Sequence, residues 1–288
     1  MTAVFKRELG SYFKGMLGYL LSAFLLVFAG IYCMAYNLSG YYANFEYVLS
    51  AIAFIYLIAV PIISMRSLAE EKRQKTDQLL YSLPIRLSDV VIGKYLAMLC
   101  VLAVPTLIMA CYPLVLSQFG TVSFASAYGA LIAFFLLGAC LLSIGLFISS
   151  VTESQVAAAI ITLVTMLLLY FMSSLSSFVF SDASASLIAL SVMALIFTAI
   201  LYALTKNPII SVLVGAALIG GLQVWYHIDS SAFSGLFGDM MDAISVFDRF
   251  KTFVNGVFDL TVVVYYISIT VVMLFMTVQV MEKRRWAE

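Results

Sequence analysis

The 288-residue chain is 64% hydrophobic and only 10% charged, and its fifteen basic and fifteen acidic side chains give a formal net charge of zero. Globular domains carry about 25% charged residues, so this composition excludes a soluble protein and indicates one that crosses a membrane several times. The zero net charge argues against a nucleic-acid partner. The four cysteines lie in apolar runs at no metal-like spacing, and we interpret them as core residues rather than as a disulfide or a metal site.

The first fifteen residues predict an amphipathic helix that lies on the membrane surface. In VFKRELGSYFKGM the apolar residues recur at helical spacing. Phe5 and Phe13 belong to the apolar face, and Lys6 and Arg7 flank it, where we expect them to meet anionic lipid headgroups. An unstructured basic tail is the alternative.

Eight apolar segments are long enough to cross the hydrocarbon core, which requires about 20 residues. They cover residues 16–36, 47–65, 92–116, 125–149, 155–179, 185–204, 208–228 and 259–281. The sixth and seventh are the weakest, and the alternative is a re-entrant hairpin that leaves six full spans. The expected fold class is therefore all-α, a polytopic membrane helix bundle that forms one transmembrane domain over residues 1–288.

The basic residues predict the orientation. With the N-terminus in the cytoplasm, thirteen of the fifteen Lys and Arg residues fall on the cytoplasmic side, and only Arg249 and Lys251 fall outside. This asymmetry follows the positive-inside rule. Both termini are then cytoplasmic, and the protein is a multi-pass component of the cell membrane.

The predicted spans have no Asp, Glu, Lys or Arg near the middle of the membrane. Ionisable residues at that depth mark proton relays, ion-coupling sites and voltage sensors, so their absence argues against a proton-driven pump or a cation channel. The only histidine, His227, has no partner with zinc-site spacing, and neither GxSxG nor GxxxxGK[ST] occurs. We therefore expect neither an enzyme nor a chain that binds ATP through a P-loop.

Between the second and third spans lies the polar segment RSLAEEKRQKTDQLLYSLPI, residues 66–85. Its pattern predicts two short helices with a turn near 74–76, and Thr76 is a candidate N-cap for the second, over 77–83. One face is apolar and the other charged. Such a hairpin suits docking against another protein just below the membrane, and a solvated connecting loop is the alternative.

Three blocks together resemble permease subunits of type-2 ATP-binding-cassette (ABC) transporters, in their gliding-motility-type branch. They are FKRELGSYF near the start, MRSLAEEKRQKTDQLLYSLPI with the following IGKYLA, and ISVFDRFKTFVNGVFDLTVVVYYISITVVMLFMTVQVMEKRRW near the end. The resemblance implies a type V exporter fold in a bacterial inner membrane. It also implies that residues 66–84 are a coupling hairpin that contacts a separate nucleotide-binding (ATPase) subunit.

The resemblance places the contacts with that subunit at Glu70, Glu71, Arg73, Thr76 and Leu79. It implies that ATP and Mg bind to the partner, that this chain binds no cofactor or metal itself, and that a second permease chain, identical or related, completes the pair. The expected function is to couple ATP hydrolysis by the partner to export of a lipid-like, peptide-like or other amphipathic substrate. The alternatives are an ATP-independent transporter or flippase and a non-transporting membrane assembly subunit.

The segment between the last two spans, residues 230–258, mixes Phe, Met and Ile with Asp and carries the only outer basic residues. It predicts one or two amphipathic helices at the outer interface. Arg249, Phe250 and Phe253 are candidate contacts for a lipid headgroup or an amphipathic substrate. The alternative is that Arg249 has a structural role, paired with Asp248 or Asp242.

Overall fold

A computed structural model describes residues 1–40, 42–76, 86–176, 182–205 and 208–287. These residues form helices and no strands, which confirms the all-α prediction. The chain divides into two compact units, one made of residues 1–168 and 246–288 and the other of residues 169–245.

The helices, numbered along the described residues, are α1 Thr2–Lys14, α2 Leu17–Tyr32, α3 Glu46–Ile52, α4 Tyr56–Ser64, α5 Ala69–Arg73, α6 Leu87–Met109, α7 Tyr112–Leu116, α8 Phe124–Val151, α9 Gln155–Ser176, α10 Ala183–Thr205, α11 Pro208–Ile228, α12 Leu236–Ile244, α13 Val246–Val254 and α14 Leu260–Ala287. A π-helical turn, Cys33–Leu38, continues α2, and a 3₁₀ turn, Ala53–Ile55, joins α3 to α4. A second 3₁₀ turn, Ser231–Phe233, precedes α12.

Six stretches in the described residues are long and apolar enough to cross a membrane. They are Leu17–Leu38, Glu46–Arg73, Leu87–Leu116, Phe124–Val151, Gln155–Ser176 and Leu260–Arg285. Each overlaps a predicted span, so the prediction of a multi-pass bundle is confirmed. The sixth and seventh predicted spans correspond to α10 and α11, which are apolar but do not meet the same criterion within the described residues. Whether they cross fully stays a prediction.

Helix α8 forms the core of the first unit and packs against α4, α6, α13 and α14. Two glycines allow the close approach, because a Cβ at Gly138 would lie 2.5 Å from Leu102 Cδ2 and one at Gly145 would lie 2.5 Å from Ser64 Oγ. Small residues at helix crossings are the usual device for tight packing in membranes. The buried hydroxyl of Tyr56 donates to the carbonyl of Phe134 at 3.1 Å, so this polar group is not left unpaired in the core.

Helix α1 forms as predicted, and it packs on α6 and α2. The residue that it buries most deeply is Tyr12, whose hydroxyl donates to the carbonyl of Ile63 at the end of α4 at 3.0 Å. Phe5 is half-buried, Lys6 is exposed, and the Phe13 ring meets Tyr19 edge-on at 5.1 Å. One face of α1 is thus fixed to the bundle itself.

In the second unit, α10 and α11 pack against each other, and α10 also contacts α12 and the preceding 3₁₀ turn. A Cβ at Gly215 of α11 would lie 2.8 Å from Thr198 Cγ2, which shows how closely the two helices approach. Near α12, the hydroxyl of Ser176 donates to Asp242 Oδ1 at 2.5 Å. This contact orders the end of α9 against α12.

Candidate functional site

The short helix α5, in the polar segment between the second and third spans, is anchored to the last turn of α8. The backbone N–H groups of Leu68 and Ala69 donate to Ser149 Oγ at 3.2 and 3.0 Å. The first N–H groups of a helix have no acceptor within the helix, so Ser149 caps α5 from another element. Lys72 Nζ donates to the carbonyl of Ser150. The start of α5 and a side chain near its end are both held by α8.

Lys94 of α6 lies at the centre of a buried polar cluster. Its side chain is 1% exposed, and Nζ donates to Glu8 Oε1 at 3.0 Å, Glu71 Oε1 at 2.9 Å and the carbonyl of Ser67 at 2.8 Å. These three acceptors satisfy the three N–H groups of the ammonium. A buried charge is costly unless it is paired and hydrogen-bonded, and this one is both. Lys94 therefore joins α1, α5 and α6.

Arg7 completes what we call the polar cluster, defined as Arg7, Glu8, Glu71 and Lys94. Its Nη2 donates to Glu8 Oε1 at 2.8 Å and to Glu71 Oε1 at 2.6 Å. The cluster holds two cations and two carboxylates, so its charges balance. The hydrogen bond to Glu8 raises the pKa of the Arg7 guanidinium. Burial raises the pKa of Glu8, but Lys94 and Arg7 together outweigh that effect and the net pKa is lowered from 4.5.

The lowered pKa of Glu8 predicts an acid-sensitive contribution to stability. A carboxyl group whose folded-state pKa is depressed contributes stability above its unfolded-state value, and the contribution is lost as the pH falls through the folded-state pKa. We expect the melting temperature of the wild type in detergent to fall with pH below 4.5. The same measurement on Glu8→Gln is expected to give a lower plateau at neutral pH and a flatter acid limb. If the melting temperatures of wild type and Glu8→Gln fell equally steeply with decreasing pH, Glu8 would not be the source of the acid sensitivity.

A cavity of about 350 Å³ opens beside the polar cluster, between α1 and the segment that carries α5. Gln74 and Thr76 line it from the segment, and Ser11 and Tyr12 line it from α1. Within the segment, Arg66 Nε donates to Glu70 Oε2 at 2.9 Å and Gln74 Nε2 donates to Glu70 Oε1 at 3.3 Å. The segment is thus internally braced as well as anchored to its neighbours.

The residues predicted to contact a partner occupy different environments. Glu70 is partly exposed and paired with Arg66, whereas Arg73 and Thr76 are exposed. Glu71 instead points at Arg7 and Lys94. Its Oε1 binds two cations of this chain, so Glu71 is an internal brace in this structure, and its expected contact with a partner stays a prediction. Leu79 lies outside the described residues.

The turn predicted at 74–76 is confirmed. Helix α5 ends at Arg73, and Lys75 adopts the left-handed conformation with φ of 55°. Both the N–H and the hydroxyl of Thr76 donate to the carbonyl of Glu71, at 3.0 and 3.2 Å. The second short helix, which Thr76 was expected to cap, falls on residues 77–83, outside the described residues.

At the other candidate site, two of the three expected surface residues are core residues. Phe250 and Phe253 are each 2% exposed. Phe250 packs 6.1 Å from the Phe134 ring of α8. The expectation that Phe250 and Phe253 meet lipid or substrate is corrected, because the apolar face of α13 turns inward against α8. Arg249 lies over the ring of Tyr265 at 4.1 Å, a cation–π contact that gives it a structural role.

A second ion pair ties the C-terminal helix to the same end of the bundle as α5. Arg284 Nη2 of α14 donates to Glu153 Oε1 at 2.5 Å, and Glu153 lies two residues beyond the end of α8. Because α8 also anchors α5, it connects the C-terminal basic residues to the polar segment.

Lys94 is the residue that the sequence reasoning undervalued. Lys94 lies within the predicted span 92–116 and is one of the thirteen basic residues that predict the orientation. An ionisable side chain within a predicted span signals a function or a specific partner. That rule, applied strictly, would have singled out Lys94, although not the partners that it binds.

The architecture, with apolar spans and a braced polar segment at one end, agrees with a family comparison. The family model described as "ABC-2 family transporter protein" matches residues 12–278. The chain belongs to this family. No match was found among curated proteins or among solved structures. Membership makes this ABC-2 protein a transport subunit rather than an enzyme, and its assignment to the gliding-motility branch stays a prediction.

Proposed function

We propose that this ABC-2 protein is the permease subunit of an ABC exporter and that it receives force from a separate ATPase subunit through the coupling segment, the hairpin predicted at residues 66–84, of which residues 66–76 are described. The observation that carries the proposal is that the end of the described segment is exposed, whereas the residues that precede it are held by hydrogen bonds to other helices. Arg73 and Thr76 are exposed, while the residues just before them are fixed to three other helices.

A segment of this construction suits the transmission of movement. A partner that displaces Arg73 and Thr76 would move α5. Helix α8 would move with α5 because Ser149 binds its start, and α6 would move with it because Lys94 binds the same segment. Spans tied in this way are expected to move as rigid bodies, as in domain-scale switching transitions. A loosely held loop would absorb the same displacement without moving the spans.

The energy source in this proposal lies on the partner. The 288 residues contain no GxxxxGK[ST] motif, so ATP and Mg would bind to the ATPase subunit. The distribution of basic residues supports a cytoplasmic position for the coupling segment and both termini, where ATP is available. A second permease chain, identical or related, would complete the transporter. The apolar spans favour a lipid-like, peptide-like or other amphipathic substrate.

The proposal is tested by ATPase binding to membrane vesicles that contain the full chain. A candidate ABC ATPase is expected to be retained by inverted vesicles and not by right-side-out vesicles. Arg73→Glu is expected to reduce retention about tenfold, since reversing an interface charge replaces attraction with repulsion. The readout is the amount of ATPase that sediments with the vesicles, together with their ATP hydrolysis rate.

Lys14→Glu is the matched control, because Lys14 is an exposed cation at the end of α1 and outside the coupling segment. It is expected to leave retention unchanged. Glu71 is unsuitable for this test because its substitution disrupts the polar cluster. Equal retention by wild type and Arg73→Glu, or retention by right-side-out vesicles, would refute the proposed coupling role.

A further inference from the structure

Three tyrosines line a cavity at the end of α2 that lies away from α1. The cavity has a volume of about 410 Å³ and is lined by Tyr36, Tyr42, Tyr47, Ser50 and Ala51. The Tyr42 and Tyr47 rings meet edge-on, with their centroids 6.2 Å apart. Small-molecule sites are concave, occupy about 300–1,000 Å³ and combine aromatic walls with a few polar groups, and this cavity has those properties.

Hydrogen bonds brace the backbone around the cavity, so the turn that carries Tyr42 is formed without a ligand. Asn37 Nδ2 donates to the carbonyls of Tyr42 and Asn44 at 2.7 and 3.3 Å, and the Tyr42 N–H donates to the carbonyl of Tyr36 at 3.2 Å. A Cβ at Gly40 would lie 2.5 Å from the Tyr36 carbonyl oxygen, so only glycine fits this turn. Such preorganisation lowers the entropic cost of binding.

The sequence around the cavity carries one charged residue, and it is acidic. Glu46 is the only charged side chain between Lys14 and Arg66, and it directly precedes Tyr47. Its side chain is buried, and Oε2 has no hydrogen-bond partner among the described residues. The buried Oδ1 of Asn37 likewise has none in the described chain. Glu46 does not line the cavity, but its acidic side chain lies one residue before the lining Tyr47, and a negative charge at that distance favours a positively charged ligand.

The tyrosine lining of the cavity favours an organic ammonium group over a small inorganic cation. Tyrosine ring faces attract quaternary ammonium groups through the ring quadrupole, and sets of such rings form aromatic cages. A small inorganic cation instead requires several convergent oxygen ligands, and rings dominate this wall. In the turns of helix that precede Tyr36, α2 and its π-helical turn carry an exposed apolar stripe, Val27, Ile31 and Met34, at helical spacing. A hydrocarbon tail suits that stripe.

We propose that this tyrosine cavity binds the alkylammonium head of a cationic amphiphile. Such compounds would then be candidates for the exported substrate, a consequence that rests on the proposed function. Binding itself requires neither nucleotide nor ATPase, so a failed binding test leaves the coupling proposal untouched, and a failed coupling test leaves this site untouched.

The test uses the full-length protein in lipid nanodiscs and radiolabelled dodecyltrimethylammonium, with bound ligand measured by scintillation proximity. Unlabelled tetraethylammonium distinguishes recognition of the head alone from recognition of a lipid-like molecule. Tyr42→Ala and Tyr47→Ala are each expected to weaken binding about tenfold, and Tyr42→Phe by less than about threefold, because phenylalanine keeps the ring face. Glu46→Gln is expected to weaken binding as well, because it removes the acidic side chain next to Tyr47.

Tyr19→Ala is the matched control, because Tyr19 is an exposed tyrosine at the other end of α2, and it is expected to bind as the wild type does. Melting temperatures establish that each variant is folded. Equal binding by wild type and Tyr42→Ala, or equal competition by a neutral dodecyl amphiphile, would overturn the proposal and leave these tyrosines as interfacial belt residues.

Discussion

Replacing Lys94 with methionine is expected to destabilise the protein by about 3–5 kcal/mol, the usual effect of removing one partner from a buried ion pair. Methionine keeps most of the length of the side chain and its apolar character but removes the charge. Among the described residues Glu8 and Glu71 then share only Arg7, so one carboxylate is left partly buried without a cation. The measurement is the denaturation midpoint of the purified protein in detergent. Lys14→Met, at an exposed lysine, is expected to behave as the wild type.

The double variant Lys94→Met with Glu71→Gln separates charge imbalance from simple loss of packing. It leaves Arg7 and Glu8 as a balanced pair, so we expect it to be more stable than Lys94→Met alone. Coupling of this kind is what contacting residues show in double-mutant cycles. If the two substitutions destabilise additively, the polar cluster is not the electrostatic unit that the geometry describes. The same variants are expected to weaken ATPase retention, because α5 loses its tie to α6.

The second large effect is expected at the crossing of α8 and α4. Gly145→Ala places a Cβ 2.5 Å from Ser64 Oγ and 2.7 Å from Ser64 Cβ, and Ser64 is fully buried. Since the serine side chain is short, the clash is relieved mainly by moving the backbone of α4. We expect a loss of about 1–3 kcal/mol, as for other overpacked cores, measured as a lowered denaturation midpoint. Gly145→Val is expected to be worse.

Two further variants test whether the steric clash causes the loss of stability. Gly10→Ala is the control, because no atom lies within 4 Å of its Cβ position and alanine favours the helix more than glycine does. Adding Ser64→Gly to Gly145→Ala removes both clashing atoms and is expected to recover most of the loss. A Gly145→Ala protein as stable as the wild type would show that α4 and α8 are not packed as closely as the structure has them. Ser64 lies three residues before Ser67, whose carbonyl binds Lys94. A shift of the α4 backbone caused by Gly145→Ala is therefore also expected to disturb the polar cluster.

Phe250 and Glu71 show where reasoning from the sequence reached its limit. The amphipathic pattern of α13 predicted a helix correctly, but periodicity states only that one face is apolar and not which surface covers it. The structure covers that face with α8. Glu71 likewise belongs to a charged run that suggested an exposed docking surface. Its carboxylate turns inward because Lys94 and Arg7 both lie within 3 Å of it.

The sequence by itself determined that this protein is a multi-pass helical membrane protein with an amphipathic N-terminal helix and a charged segment after the second span. These properties follow from composition, segment length and helical period, which depend only on residues that are close together in the sequence. Only the tertiary structure decided that Lys94 joins Glu8, eighty-six positions away, to the coupling segment. It also decided that three tyrosines share one cavity. Such groupings depend on how distant helices pack, and the local pattern along the chain does not encode which helices meet.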